Sequence, residues 1–519
     1  MRGADIVMQT LARRGVSDIF ALSGNQIMPL FDASLDAGIR LYHTRHEAAT
    51  VYMAEGHAQI TGGVGVALVT AGAGLGNALG PLLTARASDT PVLLISGDSP
   101  VAQDGNGAFQ EMDQVALTQS LTKWSVRVTD ADELGAVIDK ALTVAQTGRP
   151  GPVHVSLPAD VVLAEGQASE AAASRARAVE TDGIAKWLAG CDTPLVVLGP
   201  ALNGTRAAGL AARLERALDA PAIVMESPRG LNDPALGHLT PVFRRAERIL
   251  LLGKPLDFTL QFGNAAPQAE WGIVSSDPAE LARATLNAKD RLTLSVEQSA
   301  SDTAGALAER STEVARSDWR GEVARYTAKR AATPTSHGLQ PQDLCRALQP
   351  LIDEANNPIL VCDGGEFGQW AQAGLNAPRR IINGVSGAIG GGLCYAMASR
   401  AADPGATVFV LMGDGTAGFH FAEFETAARE GLPFVAIIGN DRRWNAEHQI
   451  QLRDFGDARL HGCNLSDARY DEAVKALGGF GALVTDLSDL PEAVRAAIAS
   501  GKPACINVEI EGLPAPVVR

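Results

Sequence analysis

Thr407-Val408-Phe409-Val410-Leu411-Met412 runs directly into Gly413-Asp414-Gly415-Thr416, and Leu432-Pro433 leads through a second apolar run, Phe434 to Ile438, into Gly439-Asn440-Asp441. Each run is continuous and of strand length, as expected for a strand buried on both faces of a parallel sheet. Residues 420–430 between them have helical spacing, so the unit reads strand, helix, strand. Asp414 and Asp441 then follow two successive strand ends and face one crevice, where ligands of open α/β sheets bind. Twenty-four residues, 416 to 439, separate Gly415 from Asn440. Two side-chain oxygen donors plus a phosphate complete the shell of a hard cation such as Mg²⁺. The glycines let the backbone approach that phosphate, and the helix that follows offers free N–H groups. A lone Gly-Asp-Gly is only a turn; the spacing and the strand before each element set this one apart.

The same alternation extends outward in both directions. Ile359 to Cys362 and Cys505 to Ile510 read as further buried strands, with helical patterns at 388–402, 468–477 and 488–499. Nearer the N-terminus, helical spacing over 4–14 precedes strands at Asp18 to Leu22, Val64 to Thr70, Pro91 to Ser96 and Val153 to Leu157. A middle block has strands at Leu195 to Leu198, Ala222 to Met225 and Ile249 to Leu252. Residues 166–181 read as a linker, and 311–340, charged and irregular, as a second connector. The pattern predicts three doubly wound parallel-sheet α/β domains, at 1–165, 182–310 and 340–519. A chain of 519 residues is long enough for about three domains.

Composition narrows the function classes. Apolar residues make up 46% and charged residues 20%, as in a globular protein. The net charge of −15 argues against nucleic-acid binding, which needs a basic surface. Six scattered cysteines show no C-x-x-C spacing, which excludes a zinc site of that kind and predicts a reducing, cytoplasmic setting. Apolar runs are too short to span a membrane. A nicotinamide-dependent oxidoreductase would need G-x-G-x-x-G, and Gly72-Ala73-Gly74-Leu75-Gly76-Asn77 does not match it.

The paired motif resembles the signature of thiamine-diphosphate-dependent enzymes, Gly-Asp-Gly followed after some two dozen residues by Asn-Asn. Phe421 to Ala427 and Leu432-Pro433 are similar to the acetolactate synthase and benzaldehyde lyase branch. The resemblance covers nearly the whole chain, in the order pyrimidine-binding, central and diphosphate-binding domain. It implies thiamine diphosphate and Mg²⁺ as cofactors, with the metal held by Asp414, Asp441 and the backbone carbonyl of Arg443. Asp441 departs from the pattern, which has Asn there; Asp is an equally hard ligand with one more negative charge. Gly413, Gly415 and Thr416, with Gly364 and Gly365 after the 359–362 strand, are then the phosphate-side contacts. In Asn383-Gly384-Val385-Ser386-Gly387-Ala388-Ile389-Gly390, Ile389 stands where the family places an apolar wedge between the cofactor rings. Gly387 there offers its carbonyl to the 4′-amino group.

Arg45-His46-Glu47, by itself a helix-start carboxylate, matches the family's proton-relay Glu at pyrimidine N1′. Gln110 matches a pocket Gln of the lyase and synthase branch. Asn25, Gln26, Trp444 and His448 are further pocket candidates, His448 with a catalytic role. Lys254 stands where the family's central domain often has Arg, and no FAD is expected. The resemblance implies a lyase or carboligase, acetolactate synthase-like, that takes a 2-oxo acid or a 2-hydroxy ketone and works as a homodimer or homotetramer. The alternatives are a non-oxidative decarboxylase or lyase of 2-oxo acids or of the 2-hydroxyacyl- or oxalyl-CoA type, and a non-catalytic cofactor-binding regulatory subunit. Retention of Glu47, Ile389 and Asp414 together speaks against the last.

Overall fold

The computed structural model describes residues 1–168, 178–311, 314–331 and 338–518. Its first sheet contains β1 (Asp18–Ala21), β2 (Arg40–His43), β3 (Gly65–Val69), β4 (Val92–Asp98), β5 (Ser125–Arg127) and β6 (Val153–Pro158). The second contains β7 (Pro194–Leu198), β8 (Ala222–Val224), β9 (Arg248–Leu252), β10 (Glu270–Ser275) and β11 (Leu292–Glu297). The third contains β12 (Pro358–Cys362), β13 (Arg379–Ile382), β14 (Thr407–Gly413), β15 (Val435–Asn440), β16 (Phe480–Val484) and β17 (Ala504–Glu509). The strand orders are β2-β1-β3-β4-β6-β5, β11-β10-β9-β7-β8 and β13-β12-β14-β15-β17-β16. All strand pairs are parallel, so the three-domain α/β architecture is as the sequence predicts.

The first and third sheets have the same topology. In each, the chain reverses its direction of growth between the first and third strands, which are neighbours. This is the switch point at which doubly wound sheets leave a crevice, and it fixes where each half of a site can be built. β14 is buried along nearly its whole length, which is why its sequence is an unbroken apolar run.

Helices Glu47–Thr61 and Gly392–Ala402 join these two domains of the chain. A Cβ on Gly56 would stand 3.0 Å from Ala398 and Tyr395, so the close crossing requires glycine there. Glu55, fully buried in the crossing, accepts from the Tyr395 hydroxyl at 2.8 Å and from Gln59 at 3.2 Å. Burial pushes the Glu55 carboxyl up to about 7. Buried polar groups of this kind persist only when paired, and this pair fixes one helix against the other. Apolar residues of the first and third sheets share one core around it.

The two connectors differ in kind. The 166–181 linker falls largely on residues 169–177, outside the described residues. Within the 311–340 connector, where 312–313 and 332–337 lie outside them too, Ser317–Thr327 is a helix rather than an irregular segment. It buries only Trp319 and Val323 against the central domain, and so carries too few apolar residues to read as a helix.

Candidate active site

β12, β14 and β15 are consecutive in the third sheet and end within two residues of one another, with Cys362 opposite Leu411 and Gly413 opposite Gly439. Their ends carry Asp363-Gly364-Gly365, Asp414-Gly415-Thr416 and Asp441. Gly365 has φ +83°, and its missing side chain leaves room against the Thr416 methyl. The Thr416 hydroxyl donates to the Gly413 carbonyl at 3.0 Å. A Cβ on Gly415 would lie 2.7 Å from the Trp444 ring, so the indole closes one side of the turn. Positions 413 and 387 open onto free space.

Asp414 is 1% exposed, and its Oδ2 has no hydrogen-bond partner; nor has Oδ1 of the adjacent Asp441. Burial pushes both carboxyls above their ordinary range, and for Asp441 repulsion from Asp414 adds to it. Two desolvated acids with idle oxygens form a donor set suited to a hard cation. The Arg443 N–H reaches the Asp441 carboxyl. Arg442 O and Trp444 N pair instead with Leu465 N and Cys463 O. His448, one turn into the helix Asn445–Phe455, is 7% exposed with Nδ1 unpartnered. Burial, then the facing Arg443, hold its pKa below the ordinary value.

The loop after β13 leads to Ile389, which is half-buried with its Cγ2 against Gly364; a Cβ there would be 2.5 Å away. Asp363, buried at the end of β12, accepts from the N–H groups of Gly364, Gly390 and Gly392 at 2.6, 3.0 and 3.0 Å. Residues 388–391 therefore form a clamped loop, and the helix begins at Gly392, not at 388.

The first sheet supplies a second cluster, at its own β1/β3 crevice. Glu47 opens the helix Glu47–Thr61, whose N-cap His46 accepts from Ala48 N through Nδ1. The Glu47 carboxylate accepts from Asn77 Nδ2 at 3.0 Å and lies 3.5 Å from the point where a Cβ on Gly74 would stand. The Thr70 methyl is 2.8 Å from that same point. The Thr70 hydroxyl donates to Gln26 Oε1 at 2.6 Å, and Gln26 Nε2 donates to Gln110 Oε1 at 2.9 Å. Gln110 sits at φ +62°, a left-handed conformation that costs about 1–3 kcal/mol in a non-glycine residue. Strain of this size marks a side chain whose direction is imposed by its surroundings.

Residues 1–117 match the family model "Thiamine pyrophosphate enzyme, N-terminal TPP binding domain", and 363–508 match its C-terminal TPP binding domain counterpart. These matched segments carry both clusters. The chain belongs to the thiamine pyrophosphate enzyme family. It is 28% identical to the acetolactate synthase large subunit of Mycobacterium tuberculosis, over 98% of this chain and 95% of that one. It is equally 28% identical to human 2-hydroxyacyl-CoA lyase 2, over 93% and 85%. The fold matches a solved structure, the thiamine diphosphate-dependent 4-hydroxybenzoylformate decarboxylase of Rhodococcus jostii RHA1. The TM-score is 0.83 at 23% identity, over 98% of this chain and 99% of that one.

The residues present fit the family's cofactor, thiamine diphosphate. Idle buried oxygens on Asp414 and Asp441 call for a cation beside a diphosphate. Gly413 and Gly387 leave open the space that a side chain would fill. No group of three or more His, Cys, Asp or Glu side chains suited to a metal occurs among the described residues. A cation at Asp414 and Asp441 would thus complete its shell with backbone and ligand oxygens. Sequence reading placed Gln26 among the pocket candidates and Asp363 in the phosphate-side loop without the bonds they make, and it gave no role to Asn77. Asn77 stood within the glycine-rich run 72–77, and only the folded chain brings it to Glu47.

Proposed function

We propose that this enzyme is a carbon–carbon lyase and carboligase that uses thiamine diphosphate with Mg²⁺ on a 2-oxo acid or a 2-hydroxy ketone. When bound, the cofactor supplies the electron sink for an acyl carbanion that no side chain could stabilise. Asp414, Asp441 and the Arg443 carbonyl would hold Mg²⁺, and Gly364, Gly365, Gly413, Gly415 and Thr416 would contact the diphosphate. Ile389 and Gly387 orient the pyrimidine, which is a positioning role. Glu47, oriented by Asn77, holds and moves a proton at pyrimidine N1′. Gln110, with Gln26 behind it, orients the substrate, and His448 stands on the opposite, metal-side wall.

One observation carries the preference for ligation or lysis over release of free aldehyde. Thr70 faces Glu47 across Gly74, and its hydroxyl is bonded in series to Gln26 and Gln110. Release of aldehyde requires a proton delivered to the acyl carbon. Hydroxyls and amides are poor acids near neutral pH compared with an imidazolium, so this wall would favour ligation or lysis over release of free aldehyde. Both relatives support this, one being an acetolactate synthase and the other a 2-hydroxyacyl-CoA lyase. With an accepted 2-oxo acid and excess aldehyde, chromatography should show the hydroxy-ketone as the main product. Free aldehyde dominating under those conditions would make decarboxylase the better name.

The active form is a homodimer or larger. The Glu47 and Asp414 clusters lie on separate domains, and the family builds each site from two chains. Phe109, 71% exposed, and Phe419, 54% exposed, stand beside the two clusters and would be covered in such an assembly. Light scattering at assay concentration should give at least twice the chain mass; a fully active monomer would contradict it. The six free thiols fit a reducing, cytoplasmic setting. No helix among the described residues is long and apolar enough to cross a membrane.

A further inference from the structure

His420 is a buried histidine without a part in the chemistry above. It lies between the Asp414–Ala417 turn and the helix Glu423–Glu430, 8% exposed. Its Nδ1 is 2.7 Å from the carbonyl oxygen of Gly390. A carbonyl can only accept, so the ring donates and carries its proton on Nδ1. Burial holds the ring below its ordinary pKa; the bond to the Gly390 carbonyl opposes this and the neighbouring His46 adds to it.

Gly390 directly follows Ile389 and has φ +90°. Its N–H donates to Asp363 at 3.0 Å. Its side-chain face is closed by Phe419, to which a Cβ would approach within 2.4 Å. The N–H of Gly390 is thus anchored from the end of β12, and its carbonyl from beyond the Asp414 turn. The other edge of His420 packs against Tyr52 and His46, with ring centroids at 5.5 and 6.1 Å. Those residues belong to the Glu47 helix and its cap. Loss of the carbonyl bond would free one of the two polar anchors of the residue next to Ile389.

We propose that His420 is a positioning residue of this reaction: its Nδ1–H fixes the Gly390 carbonyl and so sets where Ile389 meets the cofactor. The proposal rests on the role given to Ile389 above. Asparagine places an N–H donor where Nδ1 of histidine stands, and aspartate has the same shape but presents an acceptor to the carbonyl. His420→Asn and His420→Asp, checked for folding by thermal melting, therefore differ in the one bond at issue.

Two readouts separate positioning from general damage. One is the affinity for thiamine diphosphate in Mg²⁺ by calorimetry; the other is hydrogen exchange at thiazolium C2 of the bound cofactor by NMR in D₂O. His420→Asp should slow exchange by about tenfold or more, since misplacement of a reacting group is costly. Its affinity should stay within about threefold, a loss no larger than one net hydrogen bond, because Asp414 and Asp441 still anchor the diphosphate. His420→Asn should exchange at close to the wild-type rate. If Asn and Asp behave alike, both normal or both impaired, the proposal is overturned. Should the Asp variant not fold, His420→Leu removes the donor without adding charge and is read in the same way. Asp414→Ala measured alongside keeps the two ideas apart. Unchanged cofactor affinity there would sink the site assignment, whatever the His420 variants show.

Discussion

Glu47→Gln lowers kcat by about 10²–10⁴-fold, the usual contribution of a positioned proton-transfer group, while leaving the affinity for thiamine diphosphate nearly unchanged. Glutamine keeps the shape of the side chain and an oxygen that can accept from Asn77 Nδ2, now 3.0 Å from the carboxylate. It loses only the ability to take and return a proton. The proposed metal and diphosphate contacts, at the ends of β12, β14 and β15, are untouched. Steady-state turnover at saturating cofactor, with calorimetry for binding, checks both halves. Near-normal turnover would remove Glu47 from the mechanism, and lost binding would make its role structural.

Asp414→Ala should abolish Mg²⁺-dependent cofactor binding, weakening it by about 100-fold or more. Changes one shell farther from a metal already cost about 10–100-fold. The protein without cofactor should not lose stability. Asp414 and Asp441 are two buried acids pushed up by burial, and each has an oxygen without a partner. Removing one relieves a desolvation cost and a like-charge contact. A metal ligand thus predicts weaker binding with an equal or higher Tm, whereas a structural carboxylate predicts a lower Tm. Asp441→Asn keeps the oxygen donor and removes one charge, so activity should persist with an altered order of preferred divalent metals. An identical metal profile would count against ligation by Asp441.

The fold was legible where strands are buried on both faces. β14 and β15 are unbroken apolar runs because helices cover them on either side, and their ends carry the motif. The strands that sequence patterning passed over are chiefly edge strands. β13 begins with two arginines, β5 is three residues long, and β11 alternates half-buried with exposed residues. β16 contains Gly481. β10 is the exception, an interior strand interrupted by Gly272, which faces Trp187 so closely that a Cβ would lie 3.0 Å from the ring. Each of these breaks the continuity that marks a buried strand.

The site divides in the same way. Asp414, Asp441, Glu47 and Ile389 sit in local sequence patterns that can be read without the fold. Asn77 on Glu47, Asp363 under Gly390 and Gln26 between Thr70 and Gln110 are pairings across 30, 27 and 44 or 84 residues. No local spacing encodes such contacts; they appear only when the β1/β3 and β12/β14 crevices form.

The most direct test of the account is calorimetric titration of cofactor-stripped protein with thiamine diphosphate, in Mg²⁺ and again in a chelator. Saturable binding in Mg²⁺ that disappears with the chelator, and is missing from Asp414→Ala under both conditions, is the predicted result. Binding of equal strength with and without the metal, or no binding in either, would contradict it.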